Sequence, residues 1–250
     1  MNLVPIDAAI DEDLFGRKAA RLAAAAQAGL PVPPTFVLST SMAAASARRE
    51  EEAVAWLRRA FAALEAPAAV RASLVESVET PASVLNVRTA FATLLAIEHL
   101  VVNANANAGR AAILLQRLVA AEVTGRVVHR NGGRVVSAWW GLARPVGPMT
   151  PDHFRLDRDG TVVEHRRGEK ALAVRSLPGG GSVEVEVSPM QAGLLCLDEG
   201  PLERIGRLAD RCDRAFGVPQ DFTWAFDGEA FYLLDRKTTG EPAVPATGPA

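Results

Sequence analysis

The sequence predicts an α+β fold in two lobes, and three observations carry that prediction. Apolar and alanine residues recur at helical spacing as far as about residue 108. Beyond it the period changes to strand-like alternation. Three dipeptides that favour tight reversals, Asn131-Gly132, Asp159-Gly160 and Asp227-Gly228, then fall between apolar segments as in antiparallel hairpins. Residues 1–108 are accordingly expected to form an N-terminal lobe, residues 109–238 a C-terminal lobe, and residues 239–250 a disordered tail.

In the first half, the spacing predicts a helix over 14–28, stopped by Gly29 and the prolines at 31, 33 and 34. Residues 35–38 read as a short strand, followed by Ser39, Thr40 and Ser41 as candidate helix caps. Val54, Leu57, Phe61 and Leu64 give residues 50–64 one apolar face. Residues 68–73 read as a buried strand and 89–101 as a further helix. The repeat Asn103-Ala104-Asn105-Ala106-Asn107-Ala108-Gly109 reads as a linker.

In the second half, residues 112–119, 122–130 and 134–140 are apolar strands, and 153–157 with 162–166 form another hairpin. Val183, Val185 and Val187 alternate with Ser182, Glu184 and Glu186, the pattern of a half-buried strand, after the plain turn Gly179-Gly180-Gly181. Leu202, Ile205, Leu208, Ala209 and Cys212 mark an amphipathic helix ending at Gly217. Residues 222–226 and 231–235 close the fold as a hairpin.

Composition excludes several functions. A net charge of -2 from 27 basic and 29 acidic residues gives no electrostatic footprint for nucleic acid. No apolar run reaches the length of a membrane span, and no basic-then-apolar leader opens the chain, so a cytoplasmic location is expected. Cys196 and Cys212 are too few for a disulfide framework and read as structural thiols. His99, His129, His153 and His165 are scattered without metal-ligand spacing. Phosphate-loop, dinucleotide-fingerprint and nucleophile-elbow motifs are absent. Among many arginines only Lys18, Lys170 and Lys237 are lysine, which marks them as candidates for point-charge chemistry that a guanidinium does not replace.

A series of short segments then carries a resemblance. Gly16-Arg17-Lys18-Ala19-Ala20-Arg21-Leu22 precedes Ala28-Gly29-Leu30-Pro31-Val32-Pro33-Pro34-Thr35-Phe36, and these are followed in order by Val70-Arg71-Ala72-Ser73, Leu85-Asn86-Val87, Leu115-Gln116-Arg117-Leu118-Val119, Thr150-Pro151-Asp152 and Gln220-Asp221-Phe222-Thr223-Trp224-Ala225. Over residues 14–238 this order resembles the nucleotide-binding ATP-grasp domain of pyruvate phosphate dikinase, phosphoenolpyruvate synthase and rifampin phosphotransferase. The resemblance implies a two-lobed ATP-grasp-like fold that binds ATP with magnesium. Phosphoryl transfer develops charge on phosphate oxygens, so fixed cations and a carboxylate-held metal supply its stabilisation. Lys18 and Arg71 would be the phosphate cations and the catalytic pair. Gln116, Leu118 and Val119 would line the adenine edge, with strand 115–119 offering backbone groups to it. Lys237 would also bind the nucleotide, and Asp235 would hold the metal. Lys170, in Gly168-Glu169-Lys170, fits either the family's G-D-K lysine or a solvated strand position.

Departures from the family pattern stand beside the matches. Residues 74–84 contain no glycine where the family has a phosphate lid. Gly141-Leu142-Ala143-Arg144 lacks the acid of G-L-G-E, and Thr223 replaces the metal-binding glutamate of Q-D-x-E-W. Asp235 stands where the family has glutamine and Lys237 where it has arginine. The swivelling histidine domain and the acceptor domain of the family do not fit in this length. Two functions are therefore expected as alternatives. One is a stand-alone ATP-dependent phosphotransferase acting on a partner subunit's histidine or on a small acceptor. The other is a catalytically degenerate relative serving as a binding or regulatory module.

Overall fold

The computed structural model describes residues 2–65, 67–75, 83–106, 110–147 and 149–240, the side chains of 105 and 106 apart. These residues fall into two compact units. The first comprises the chain as far as Leu118 together with Ser176–Ser182, and the second begins at Val119.

In the first unit, β1 (Leu3–Pro5), β2 (Thr35–Leu38), β3 (Ala68–Leu74), β4 (Ser83–Val87) and β5 (Ala111–Arg117) form one antiparallel sheet in the order β1-β2-β5-β3-β4. Helix α1 (Glu12–Gln27) packs on β3 and β5, as does α4 (Ala90–Ala106), while α2 (Thr40–Ala47) packs on β2 and β5, and α3 (Glu51–Ala63) lies against α2 and α4. Because side chains alternate across a strand, β3 splits its residues between two faces. Val70, Ala72 and Leu74 enter a core with Leu57, Ile97 and Leu100, while Ser73 accepts a hydrogen bond from the first turns of α1. Ser39 caps α2 as its sequence suggests, accepting from the Met42 N–H at 3.3 Å.

Two expectations for this unit are corrected. Residues 103–106 are the last turn of α4 rather than linker, held by burial of Leu100, Val101 and Ala104 and by a 3.0 Å hydrogen bond between His99 and Asn103. The remaining linker positions, 107–109, lie outside the described residues. Strand β5, expected in the C-terminal lobe, pairs between β2 and β3 and completes the first sheet. Its six consecutive buried residues, Ala111 to Gln116, reflect cover on both faces.

In the second unit, β6 (Val123–Arg130), β7 (Gly133–Trp140), β8 (Asp152–Leu156), β9 (Val162–Arg166), β12 (Gln220–Phe226) and β13 (Phe231–Thr238) make a six-stranded antiparallel sheet ordered β13-β12-β6-β7-β8-β9. The β6–β7 hairpin turns at Asn131 and Gly132, both at positive φ, as the dipeptide predicts. Helix α6 (Glu199–Phe216) packs on β12 and ends at Gly217 in the left-handed conformation. Trp224 is fully buried, edge-on to Phe231, because its cross-strand neighbour is Gly125, where a Cβ would lie 2.4 Å from the indole. Strands β10 (Leu172–Ser176) and β11 (Ser182–Glu186) pair separately, and a short helix α5 (Pro189–Ala192) follows. Strand β11 is more exposed than the alternation implies: Val183 is 39% exposed, in a sheet of only two strands.

Thr239, at the start of the expected tail, donates from its hydroxyl to Asp221 Oδ1 at 2.8 Å. Residues 241–250 lie outside the described residues. No helix among those described is long and apolar enough to cross a membrane.

Candidate functional site

The first unit arranges Lys18 and Arg71 through a close approach of α1 to β3. Gly16 takes φ 73° and ψ 163°, a backbone conformation that side chains disfavour, and a Cβ there would lie 2.4 Å from the Ser73 carbonyl oxygen. The chain then enters regular helix, and the Ala19 N–H donates to Ser73 Oγ at 3.0 Å. Arg71 lies two residues before Ser73 and so shares its sheet face, the one that meets the start of α1. Lys18 and Arg71 are both half-buried.

Gln116 also belongs to this unit, in register with Ala69 and Thr35. It is 1% exposed, and its amide donates to Thr35 Oγ1 at 3.0 Å, which donates to the Pro33 carbonyl at 2.7 Å. The expected strand 115–119 ends at Arg117, after which the Leu118 N–H donates to the Pro67 carbonyl at 2.8 Å. Leu118 is half-buried. Asn86 of the Leu85-Asn86-Val87 segment sits fully buried at φ 57°, and its amide donates to the Leu177 and Gly181 carbonyls at 2.7 and 2.6 Å. It thereby ties down the turn containing the glycine triplet.

In the second unit, the last hairpin sets Asp235 directly opposite Thr223 and Lys237 opposite Asp221. Residues directly opposite each other on antiparallel strands share a face. Following the register across the sheet, Thr223 faces Arg126, Arg126 faces Ser137, Ser137 faces His153, and His153 faces Arg166. One rung thus carries a carboxylate, two guanidiniums, two hydroxyls and an imidazole. Ser137 Oγ lies 3.2 Å from His153 Nδ1, and burial, followed by the nearby Arg166 charge, pushes the His153 pKa below its usual value. Val119 is half-buried, and its carbonyl accepts from the Ala121 N–H at 2.8 Å.

Two further constellations were legible only as fragments. Lys170 and Asp152 form a fully buried ion pair; Lys170 is 2% exposed, so its solvated-strand alternative is overturned. Asp152 also accepts from the Gly168 N–H at 2.8 Å and the Cys196 N–H at 2.6 Å, while the Glu169 N–H donates to Thr150 Oγ1 at 2.9 Å. The Thr150-Pro151-Asp152 and Gly168-Glu169-Lys170 segments are therefore one structural node. The available signal was the apolar run that follows Lys170, which predicts burial of the position beside it. The second constellation is His129, whose Nε2 lies 2.9 Å from Asp213 Oδ2 and whose backbone N–H donates to Asp221 Oδ1 at 2.9 Å. Arg134 bonds Asp213 at 2.8 Å and pairs with Asp210 at 2.7 Å. The hydrogen bond to Asp213, then that to Asp221, raises the His129 pKa to about 9. Burial pushes the Cys196 thiol up and the Cys212 thiol to about 12, in keeping with inert structural thiols.

The ordered motif matches along the chain point to an ATP-binding domain of the ATP-grasp class, and a family model bears this out. The chain belongs to the pyruvate phosphate dikinase AMP/ATP-binding domain family, whose model matches residues 103–241, more than half its length. Among its relatives, a probable phosphoenolpyruvate synthase of Methanothermobacter thermautotrophicus is 31% identical over 137 residues, covering 51% of this chain and 20% of that protein. A rifampicin phosphotransferase of Bacillus subtilis is 21% identical over 133 residues, covering 50% of this chain and 15% of that protein. The chain therefore spans a fifth or less of the length of these relatives. Among solved structures, D-alanyl-alanine synthetase A from Vibrio cholerae aligns with 91% of this chain and 55% of its own, at TM-score 0.46 and 14% identity.

Proposed function

We propose that this chain binds ATP with magnesium and transfers phosphate from it, either to a histidine on a partner subunit or to a small-molecule acceptor. The observation that carries this reading is the position of Asp235 across from Thr223. The carboxylate missing from β12 is present one strand over, on the same face, next to Arg126 on the far side of Thr223. Among the described residues, no three His, Cys, Asp or Glu side chains gather into a metal site. Magnesium takes one or two carboxylates and completes its shell with phosphate oxygens and water, so Asp235 would be donor enough from the protein. Lys18 and Arg71 serve the phosphates as fixed cations, with Lys237 as a further nucleotide contact. Leu118 and Val119 flank the adenine, and Gln116 supports that edge through Thr35 rather than reaching outward.

A second reading, a degenerate relative that binds a partner without turnover, draws on the Leu118 N–H, already committed to Pro67, and on Ala143 and Thr223 in place of acids or their neighbours. Calorimetric titration with ATP and a non-hydrolysable analogue, with and without magnesium, separates the two. Magnesium-dependent binding that is lost in Lys18→Ala supports the phosphotransferase reading. No heat at millimolar ATP favours the binding module, and a Lys18→Ala protein that binds and hydrolyses ATP like the parent overturns the assignment of that residue.

A further inference from the structure

Within the second unit, a cavity of about 670 Å³ opens between the first half of α6, the segment leading into it and the β8–β9 hairpin. Its floor is apolar: Phe154, Leu197 and Leu202 are almost fully buried, and Val162 and Leu195 stand half-exposed at its sides. Gly206 keeps it open from the helix side, since the nearest atoms to a Cβ there are a Leu156 methyl at 3.4 Å and the Gly160 carbonyl oxygen at 3.9 Å. Phe154 faces the α6 side of the sheet, because it neighbours His153, whose side chain points to the Thr223–Asp235 face. The cavity is thus on the opposite side of this sheet from Asp235 and Thr223.

The rim is acidic. Five carboxylates line the cavity, against one arginine, Arg207, and one imidazole, His165. Glu203 is paired with Arg207 at 3.3 Å and Asp210 with Arg134 at 2.7 Å. Asp159, Asp198 and Glu199 enter no ion pair among the described residues, and Asp198, although it is the N-cap of α6, makes no side-chain capping bond. By contrast Asp157, in the same hairpin, spends its carboxylate on the turn, accepting from the N–H groups of Asp159 and Thr161 at 3.0 and 2.9 Å. Asp198 and Glu199 stand at the N-terminus of α6, where its dipole favours a carboxylate, and together with Asp159 they keep their charges at the cavity mouth outside any ion pair among the described residues.

We propose that this cavity binds a small organic cation, an amine or guanidine on an aromatic or branched apolar body. The volume lies within the range of small-ligand pockets, roughly 300–1,000 Å³. The apolar floor takes the body by burial, and the uncommitted carboxylates at the mouth take the positive charge. An anion or a nucleotide is disfavoured at the same place by that charge.

A charge series on one scaffold tests this directly: tryptamine, its neutral alcohol tryptophol and the anion indole-3-acetate, titrated into the full chain by calorimetry. The expected result is saturable tryptamine binding at millimolar concentration or below, roughly tenfold weaker binding of tryptophol, and no binding of the acetate. Asp159→Asn/Glu199→Gln lowers tryptamine to the tryptophol level, and Gly206→Leu, which fills the floor, abolishes binding of both tryptamine and tryptophol. Should the leucine variant fail to fold, the charge variant alone decides, because its sites are exposed. Absence of tryptamine binding, equal affinity for tryptamine and indole-3-acetate, or tryptamine binding unchanged by the charge variant overturns the proposal.

Discussion

Asp235 faces Thr223 across the last hairpin, one rung before a register shift between Thr223 and Trp224. In the proposed reading, Asp235 supplies the carboxylate that Thr223 lacks, from one strand spacing away, about 4.8 Å. A hard cation that shares its shell with phosphate oxygens tolerates such a shift if the oxygen still reaches it. Asp235→Asn is expected to weaken magnesium-dependent ATP binding roughly tenfold or more while leaving magnesium-free binding nearly unchanged. Adding Thr223→Glu to that variant is expected to recover most of the loss. Calorimetry on the three proteins checks both statements, and a double variant no better than Asp235→Asn would show that the two positions are not interchangeable.

Lys170 is set apart from Lys18 by its surroundings. With Asp152 it forms a pair excluded from solvent, and Asp152 also holds the backbone of Gly168 and Cys196. Breaking such a pair from one side strands a buried charge and costs about 3–5 kcal/mol. Lys170→Met is therefore expected to lower unfolding free energy by that order in urea titration, with Asp152→Asn/Lys170→Met recovering part of it. The fraction that remains folded is expected to bind ATP with little change. Intact stability with lost nucleotide binding would instead place Lys170 among the phosphate cations.

The His129 cluster gives stability a pH dependence whose sign is fixed. Its folded pKa is raised from 6.5 to about 9, by hydrogen bonding to Asp213 first and to Asp221 second, with the Arg134 charge opposing. A group that binds its proton more tightly when folded contributes fully below its unfolded pKa. That contribution is lost as pH rises from about 6.5 to about 9. Asp213 and Asp221 lie below their ordinary 3.8 because His129 and Arg134 offset the burial that opposes ionisation of Asp213, and hydrogen bonds from His129 do so for Asp221. Their share is present above 3.8 and fades as pH falls toward the depressed values. Melting temperature is expected to decline between pH 6.5 and 9 in the parent, and the decline is expected to flatten in His129→Gln.

Local pattern revealed most elements because their signals are local. The Ser39 cap, the Asn131-Gly132 turn and the apolar face of α3 each depend on a few neighbouring residues. What the sequence concealed is long-range. Nothing within residues 111–117 says that this strand inserts between β2 and β3, and the asparagines at 103 and 105 disguise a helix whose end is fixed by burial against the sheet. The site followed the same division. Counting along the last hairpin from Phe226 and Phe231 puts Leu234 opposite Thr223, and only the register shift between Thr223 and Trp224 brings Asp235 there, while Arg126, Ser137 and His153 join the rung through three further registers. The burial of Gln116 and of Lys170 came from tertiary contacts that no motif encodes.

Gly16 links the sequence motif to the placement of Lys18. At φ 73° and ψ 163° it occupies a region that costs other residues about 1–3 kcal/mol. The 2.4 Å approach to the Ser73 carbonyl adds a clash with backbone, which does not yield as a flexible side chain would. Gly16→Ala must therefore push the start of α1 off β3, breaking the Ala19 to Ser73 hydrogen bond and moving Lys18 with it. Stability is expected to fall by about 2 kcal/mol or more, by strain together with the lost bond. Magnesium-ATP affinity is expected to fall as well, even at temperatures where the variant stays folded. Ser73→Ala removes the same hydrogen bond without the strain and is expected to cost about 1 kcal/mol with a smaller loss of binding. Urea titration and calorimetry on the pair would distinguish a glycine needed for the position of Lys18 from one needed only for folding: in the second case both variants, once folded, bind ATP like the parent.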